Sequence, residues 1–146
     1  MKTIKKLTSA AFAVVLLSIS TITANAACTS TAGYWANHAW CEQTISIGGQ
    51  TYTRDQAIAI INNPTSGDKT YSLAAQLIAA WLNVNCAHAN SSCSQSAIDS
   101  ANAWLVQHPV GSGVDAKSAA WKQITPSYAT LVSYNQGQLC APECRS

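Results

Sequence analysis

All six cysteines of this 146-residue chain, Cys28, Cys41, Cys86, Cys93, Cys140 and Cys144, follow an N-terminal stretch written like an export signal. Lys2, Lys5 and Lys6 precede an apolar run from Ala10 to Ile19, and Ala24-Asn25-Ala26 places small residues around a cleavage point. Basic start, apolar centre and small-x-small site, in that order, describe a secretory signal peptide. The apolar run is shorter than the ~20 residues a membrane span needs. Residues 1–26 therefore read as a signal peptide and residues 27–146 as a single secreted domain. An even number of cysteines in an exported domain of this size reads as a set of disulfides, because thiols oxidise outside the reducing cytoplasm.

Six cysteines permit many pairings, and sequence alone selects none of them. Local links are the expectation: Cys86 with Cys93 across a loop between two helices, Cys28 with Cys41 around the first aromatic segment, and Cys140 with Cys144 in the tail. Cys140-x3-Cys144 also resembles half of a zinc site, but no CxxC or HxxxH spacing completes a tetrahedral set, so no metal is assigned. Asn25-Ala26-Ala27-Cys28 partly resembles a lipoprotein signal, which would anchor the chain by a lipid on Cys28. Such signals favour an apolar residue where Asn25 stands, and lipidation would leave one cysteine unpaired. Release after Ala26 into an extracellular or periplasmic space is the expectation.

The formal charge of +2 belongs to the leader. After residue 26 the basic side chains are Arg54, Lys69, Lys117, Lys122 and Arg145, against Glu42, Asp55, Asp68, Asp99, Asp115 and Glu143. A binder of nucleic acid through bulk positive charge is excluded on that balance. All five Trp and all five Tyr remain in the secreted part, while Met1 and Phe12, the only residues of their kinds, leave with the leader. Trp and Tyr are apolar bodies with a polar tip and suit half-buried positions and binding surfaces.

The pattern along the chain is mainly helical. Thr31–Cys41 reads as one or two helical turns. Ile45-Ser46-Ile47 and Gln50-Thr51-Tyr52 flank Gly48-Gly49 as a β-hairpin. Thr53-x-x-Gln56 is a capping box, and Ala57, Ile58, Ile60 and Ile61 give the following helix one apolar face until Asn62-Asn63-Pro64 stops it. Leu73, Leu77, Ala80, Trp81 and Val84 form the buried stripe of a helix from about Ser72 to Val84, with Trp81 in the core. Ser94 caps a helix whose face carries Ala97, Ile98, Ala101, Trp104 and Leu105, ended by His108-Pro109. Asp115 is expected to cap a short helix through Trp121. Thr125-Pro126 is expected to start another, carrying Tyr128, Leu131 and Val132, with Gly137 closing it. The fold class is a small, disulfide-bonded, mainly α domain of four to five short helices with one β-hairpin.

No catalytic grammar emerges. There is no GxSxG elbow, no glycine-rich phosphate loop and no EF-hand spacing. The even cysteine count leaves no spare thiol. Asp55 and Asp99 sit on polar helix faces, and Asp68 and Asp115 read as loop or cap residues. No cofactor and no catalytic residue are assigned. The densest candidate binding segment is Tyr34, Trp35, Asn37, His38 and Trp40. Tyr34 and His38 share a helix face at i, i+4 spacing. His38 is able to act as a base, a ligand contact or a metal ligand; the plainer alternative is that Asn37 and His38 bond local backbone and turn Trp35 into the core. His88 reads as a solvated loop residue, and His108 suits the negative end of a helix dipole.

Gly33-Tyr34-Trp35, Asn37-His38, Tyr52-Thr53, Asn62-Asn63-Pro64, the run from Leu73 through Gln76-Leu77-Ile78-Ala79-Ala80 to Leu82-Asn83, and Tyr134-Asn135-Gln136-Gly137 together resemble a family of small exported bacterial domains. Its members open on a Gly-Tyr/Phe-Trp-Lys-Asn/Thr-His-Pro-x-x-Trp motif and close near Tyr-Asn-x-Gly. Ala36 stands where that pattern has Lys, and Ala39-Trp40 replaces Pro-x-x-Trp. The resemblance covers nearly all of residues 27–146 and implies a common fold and an extracellular or cell-surface setting. It brings no activity.

The function these residues lead us to expect is a secreted binding or interaction module without catalytic machinery. Its partner would be an extracellular glycan, a cell-wall component or a protein. Self-assembly into a matrix or filament, and a small extracellular enzyme using His38, are the alternatives. No nucleic acid and no transmembrane segment enter.

Overall fold

The computed structural model describes residues 27–63 and 67–145. The expected signal peptide and Pro64 lie outside the described residues. The elements follow in the order α1 (Ala32–Asn37), β1 (Thr44–Ile47), β2 (Gln50–Thr53), α2 (Arg54–Ile61), α3 (Lys69–Asn85), α4 (Gln95–Gln107) and α5 (Ala119–Asn135). β1 and β2 pair antiparallel, with Ile45 opposite Tyr52 and Ile47 opposite Gln50. Gly48 and Gly49 make the turn with φ of +56° and +73°, the left-handed pair that suits hairpin twist. A Cβ on Gly48 would lie 2.5 Å from Leu105 Cβ, so α4 packs against the turn itself. The Thr53–Gln56 capping box is formed at the start of α2.

α3 is the centre of the domain. It packs against α1, α2, α4, α5 and β1. Eleven of its 17 residues are buried, because a helix surrounded on several sides needs an apolar surface wider than one stripe. Ala74, Ala75, Ala79 and Ala80 are all buried there and let neighbouring helices come close. Trp81 and Val84, expected in the core, are half-buried at its edge. The tryptophans of the core are Trp35, Trp104 and Trp121, each less than one-tenth exposed.

Two further expectations are corrected. First, the disulfides join distant rather than neighbouring cysteines: Cys28–Cys144, Cys41–Cys86 and Cys93–Cys140, with sequence separations of 116, 45 and 47. Their Cα atoms lie 4.9, 5.4 and 5.7 Å apart. Cys86 caps α3 and meets the segment after α1; Cys93 precedes α4 and meets the segment after α5. In the chain-entropy account, closing a loop of the two shorter lengths stabilises by about 4 kcal/mol. Second, Asp115 and Thr125 do not start separate helices. Ser118 caps α5, its hydroxyl accepting from Trp121 N at 3.1 Å, and α5 runs unbroken through Pro126. The proline removes one backbone donor. Burial of Trp121 and Ile124 before it, and of Leu131, Tyr134 and Asn135 after it, holds both halves in one helix.

The chain ends are fastened together. Thr29 N donates to Pro142 O at 2.8 Å, and Cys144 N donates to Thr29 O at 2.9 Å, beside the Cys28–Cys144 link. Gly137 closes α5 at φ +69°, and a Cβ there would strike Glu143 backbone, so only glycine lets the tail fold back.

Asp68 anchors the loop after α4. Its carboxylate accepts from Thr70 N and Thr70 Oγ1, at 3.0 and 2.7 Å, and from Gly113 N and Val114 N, at 2.9 and 3.2 Å. Partial burial alone would push its pKa up, but these hydrogen bonds outweigh it and hold the pKa below the ordinary aspartate range. A depressed folded pKa gives stability that is present above the ordinary range and lost as pH falls through the folded value. Urea unfolding should therefore show the protein losing stability below about pH 4. Asp68→Asn should be less stable at pH 7 and should converge with the native chain in acid.

Candidate functional site

The aromatic segment is built on α1, only six residues long, too short to stand alone. Thr31 caps it, with Oγ1 accepting from Tyr34 N at 3.3 Å. Trp35 pins it to the core. The indole is 6% exposed, and its Nε1 donates to Asn83 Oδ1 of α3 at 2.9 Å. That Asn83 oxygen also accepts from Ser30 N at 2.8 Å, while Asn83 Nδ2 donates to Ser30 O at 2.9 Å and to Asn135 Oδ1 at 3.0 Å. Asn135 Nδ2 in turn donates to the backbone and side-chain oxygens of Gln76, at 2.9 and 3.0 Å. Asn83 and Asn135 are 0% and 1% exposed. Two buried carboxamides thus join the segment before α1, α1 itself, α3 and α5.

Fixing Trp35 inward turns its neighbours outward. Tyr34 is 42% exposed, and its ring stacks on His38 with centroids 3.7 Å apart and planes within 10°. His38 Nδ1 lies 2.7 Å from Tyr34 O. A carbonyl only accepts, so Nδ1 carries the hydrogen, and Nε2 of the neutral ring is left as the acceptor. Asn37 is exposed and donates to Gly33 O at 2.9 Å. Trp40 is half-buried and donates from Nε1 to Trp35 O at 2.8 Å. The five expected residues therefore divide. Tyr34 and His38 form an exposed stacked face with Asn37 exposed beside them; Trp35 is turned into the core, and half-buried Trp40 is bonded to its carbonyl.

Two further groups adjoin that face. Arg54 lies over the Trp40 ring, with Cζ 5.8 Å from the centroid, and donates from Nη2 to His38 O at 3.3 Å. Tyr34 also shares a cavity of about 280 Å³ with Ser30, Thr31, Glu143, Cys144 and Arg145. Neither Arg54 nor the C-terminal tail is marked by sequence spacing. Arg54 arrives because the hairpin doubles back, and the tail because Cys144 pairs with Cys28. With all six cysteines in disulfides, no thiolate is left to bind a metal. Among the described residues no three His, Cys, Asp or Glu side chains gather as a metal site, and no helix is long and apolar enough to cross a membrane.

No protein-family model, curated protein or solved structure matches the chain significantly. The segments that carry the family resemblance in sequence supply the buried network: Trp35 from the first, Gln76 and Asn83 from the second, Asn135 from the last. They build the fold beneath the aromatic face.

Trp35→Phe keeps an aromatic ring in the core but removes the second ring of the indole together with its donor, so a small cavity adds to the lost hydrogen bond. It should lower unfolding free energy by about 1–3 kcal/mol, whereas Tyr34→Ala at the surface should cost less than about 1 kcal/mol. Chemical denaturation of the two variants, with disulfides intact, checks both.

Proposed function

We propose that this protein is a secreted, disulfide-stapled helical module that binds a partner outside the cell through the Tyr34–His38 face. The observation that carries the reading is the exposed, stacked Tyr34–His38 pair, with the His38 ring bonded to Tyr34 O on a helix tied to the core through Trp35. Aromatic surface ordered in advance loses little conformational entropy on binding. Arg54, bonded to His38 O, and Glu143 and Arg145, which share a cavity with Tyr34, offer polar groups at its margin. The near balance of charges after residue 26 favours an uncharged or weakly charged partner, such as a glycan, a cell-wall component or a protein surface.

The enzyme reading draws on one contact: with Nδ1 donating to Tyr34 O, a neutral His38 ring has Nε2 free to act as a base. It lacks a carboxylate hydrogen-bonded to that ring among the described residues, the orienting partner such a base normally has.

Retention of the purified protein on immobilised cell-wall fragments, extracellular polysaccharide and protein from the native culture medium tests the binding reading. Retention on one of these should fall by at least about tenfold in a Tyr34→Ala/His38→Ala variant with an unchanged melting temperature. Equal retention of both proteins, or none of either on any surface, would overturn it.

A further inference from the structure

A second cleft, of about 340 Å³, lies between β2, α2, the first turn of α3 and the loop after α4. Ala59, Ile60 and Val110 give it an apolar wall, and Tyr52, Tyr71, Gln56 and Asn63 supply its polar groups. None of these side chains carries a formal charge. Tyr52 and Tyr71 are both half-buried against the core. Among the described residues, neither phenol hydroxyl and neither side-chain nitrogen of Gln56 and Asn63 has a hydrogen-bond partner; Gln56 spends only its Oε1, on Thr53 N at 2.9 Å. Burial, and secondarily the neighbouring Tyr71, push the Tyr52 pKa up, so its hydroxyl stays a neutral donor and acceptor.

The cleft is built rather than incidental. Tyr52 is fixed by its pairing with Ile45 in the hairpin, and Gln56 by the capping box. The loop carrying Val110 is held by Gly111 N donating to Thr70 Oγ1 at 2.9 Å and by the Asp68 carboxylate. Its volume sits at the small end of ligand pockets, roughly 300–1,000 Å³.

We infer that this cleft is a binding subsite for one ring of a neutral sugar, separate from the Tyr34–His38 face. A pyranose ring presents C–H groups on its faces and hydroxyls, each donor and acceptor, around its edge. Aromatic rings meet the first, and phenols and carboxamides meet the second. An acidic sugar or phosphate would require a cation, and no Lys or Arg lines the cleft. An aliphatic chain would cover the apolar wall but bury the carboxamides unpaired, at about 1–3 kcal/mol for each group.

Two-dimensional NMR of the disulfide-bonded secreted protein tests this, with cellobiose, maltose and N,N′-diacetylchitobiose as neutral probes and digalacturonate as the acidic one. At least one neutral disaccharide should give saturable shifts at Tyr52, Gln56, Asn63, Tyr71 and Val110, with a dissociation constant on the order of 1 mM. Digalacturonate should bind at least about fivefold more weakly. Tyr71→Ala should weaken binding by about tenfold, and Asn63→Ala, an exchange at the cleft's edge, by a smaller factor. An unchanged Trp35 indole resonance certifies that both variants are folded. Absence of saturable shifts in the cleft with every neutral probe overturns the inference, as does equal or tighter digalacturonate binding, or undiminished binding by folded Tyr71→Ala. Shifts confined to Tyr34 and His38 would also overturn it, while leaving the binding face proposed above intact.

Discussion

Asn83 is the residue on which the rest of the structure depends. A carboxamide has two N–H donors and one oxygen with two lone pairs, and all are used. The oxygen takes Ser30 N–H and the Trp35 indole; the nitrogen gives to Ser30 O and Asn135 Oδ1. The backbone partners fix which end is which, since Ser30 N–H only donates and Ser30 O only accepts. The same logic orients Asn135 through the Gln76 carbonyl. In an apolar helix such groups are tolerable only when every one is paired. An apolar side chain at position 83 would leave Ser30 N–H and the indole without partners.

That network explains why a six-residue helix is able to present anything at all. α1 has no helical length to stabilise it, yet Trp35 bonds to α3, Cys41 is covalently joined to Cys86 at the end of α3, and the preceding strand-like segment is tied to the tail by Thr29 and Cys28. With Trp35 drawn inward, helical geometry places Tyr34 and His38 on the outer side. The exposed pair is a consequence of the buried bond.

Local physics was legible in the sequence, and long-range pairing was not. The capping box at Thr53 and Gln56, the Gly48-Gly49 turn and the apolar run of α3 each depend on residues a few positions apart, so spacing reveals them. The disulfides depend on which helix ends meet in space, a property of packing, and the expectation of local pairs failed for all of them. Pro126 misled for a related reason: intrinsic preference argues for a helix start, while burial on both sides of it keeps α5 continuous. Trp81 shows the limit of a single stripe, because α3 is packed from several directions and the centre of burial rotates away from it. Of the candidate site, the Tyr34–His38 pairing followed from i, i+4 spacing. Its neighbours Arg54, Glu143 and Arg145 were hidden until the hairpin and tail were placed. Asn83 and Asn135 stood in recognisable motifs, but an asparagine near a helix end is common, and nothing in sequence said that the two would meet.

A double-mutant cycle on Asn83→Ala and Asn135→Ala, measured by urea unfolding with the disulfides intact, is the most direct measurement of the central claim. If the two carboxamides act as one network, the double variant should lose less stability than the two single losses combined, with a coupling energy of about 1–3 kcal/mol. Losses that add within about 0.3 kcal/mol would contradict the account.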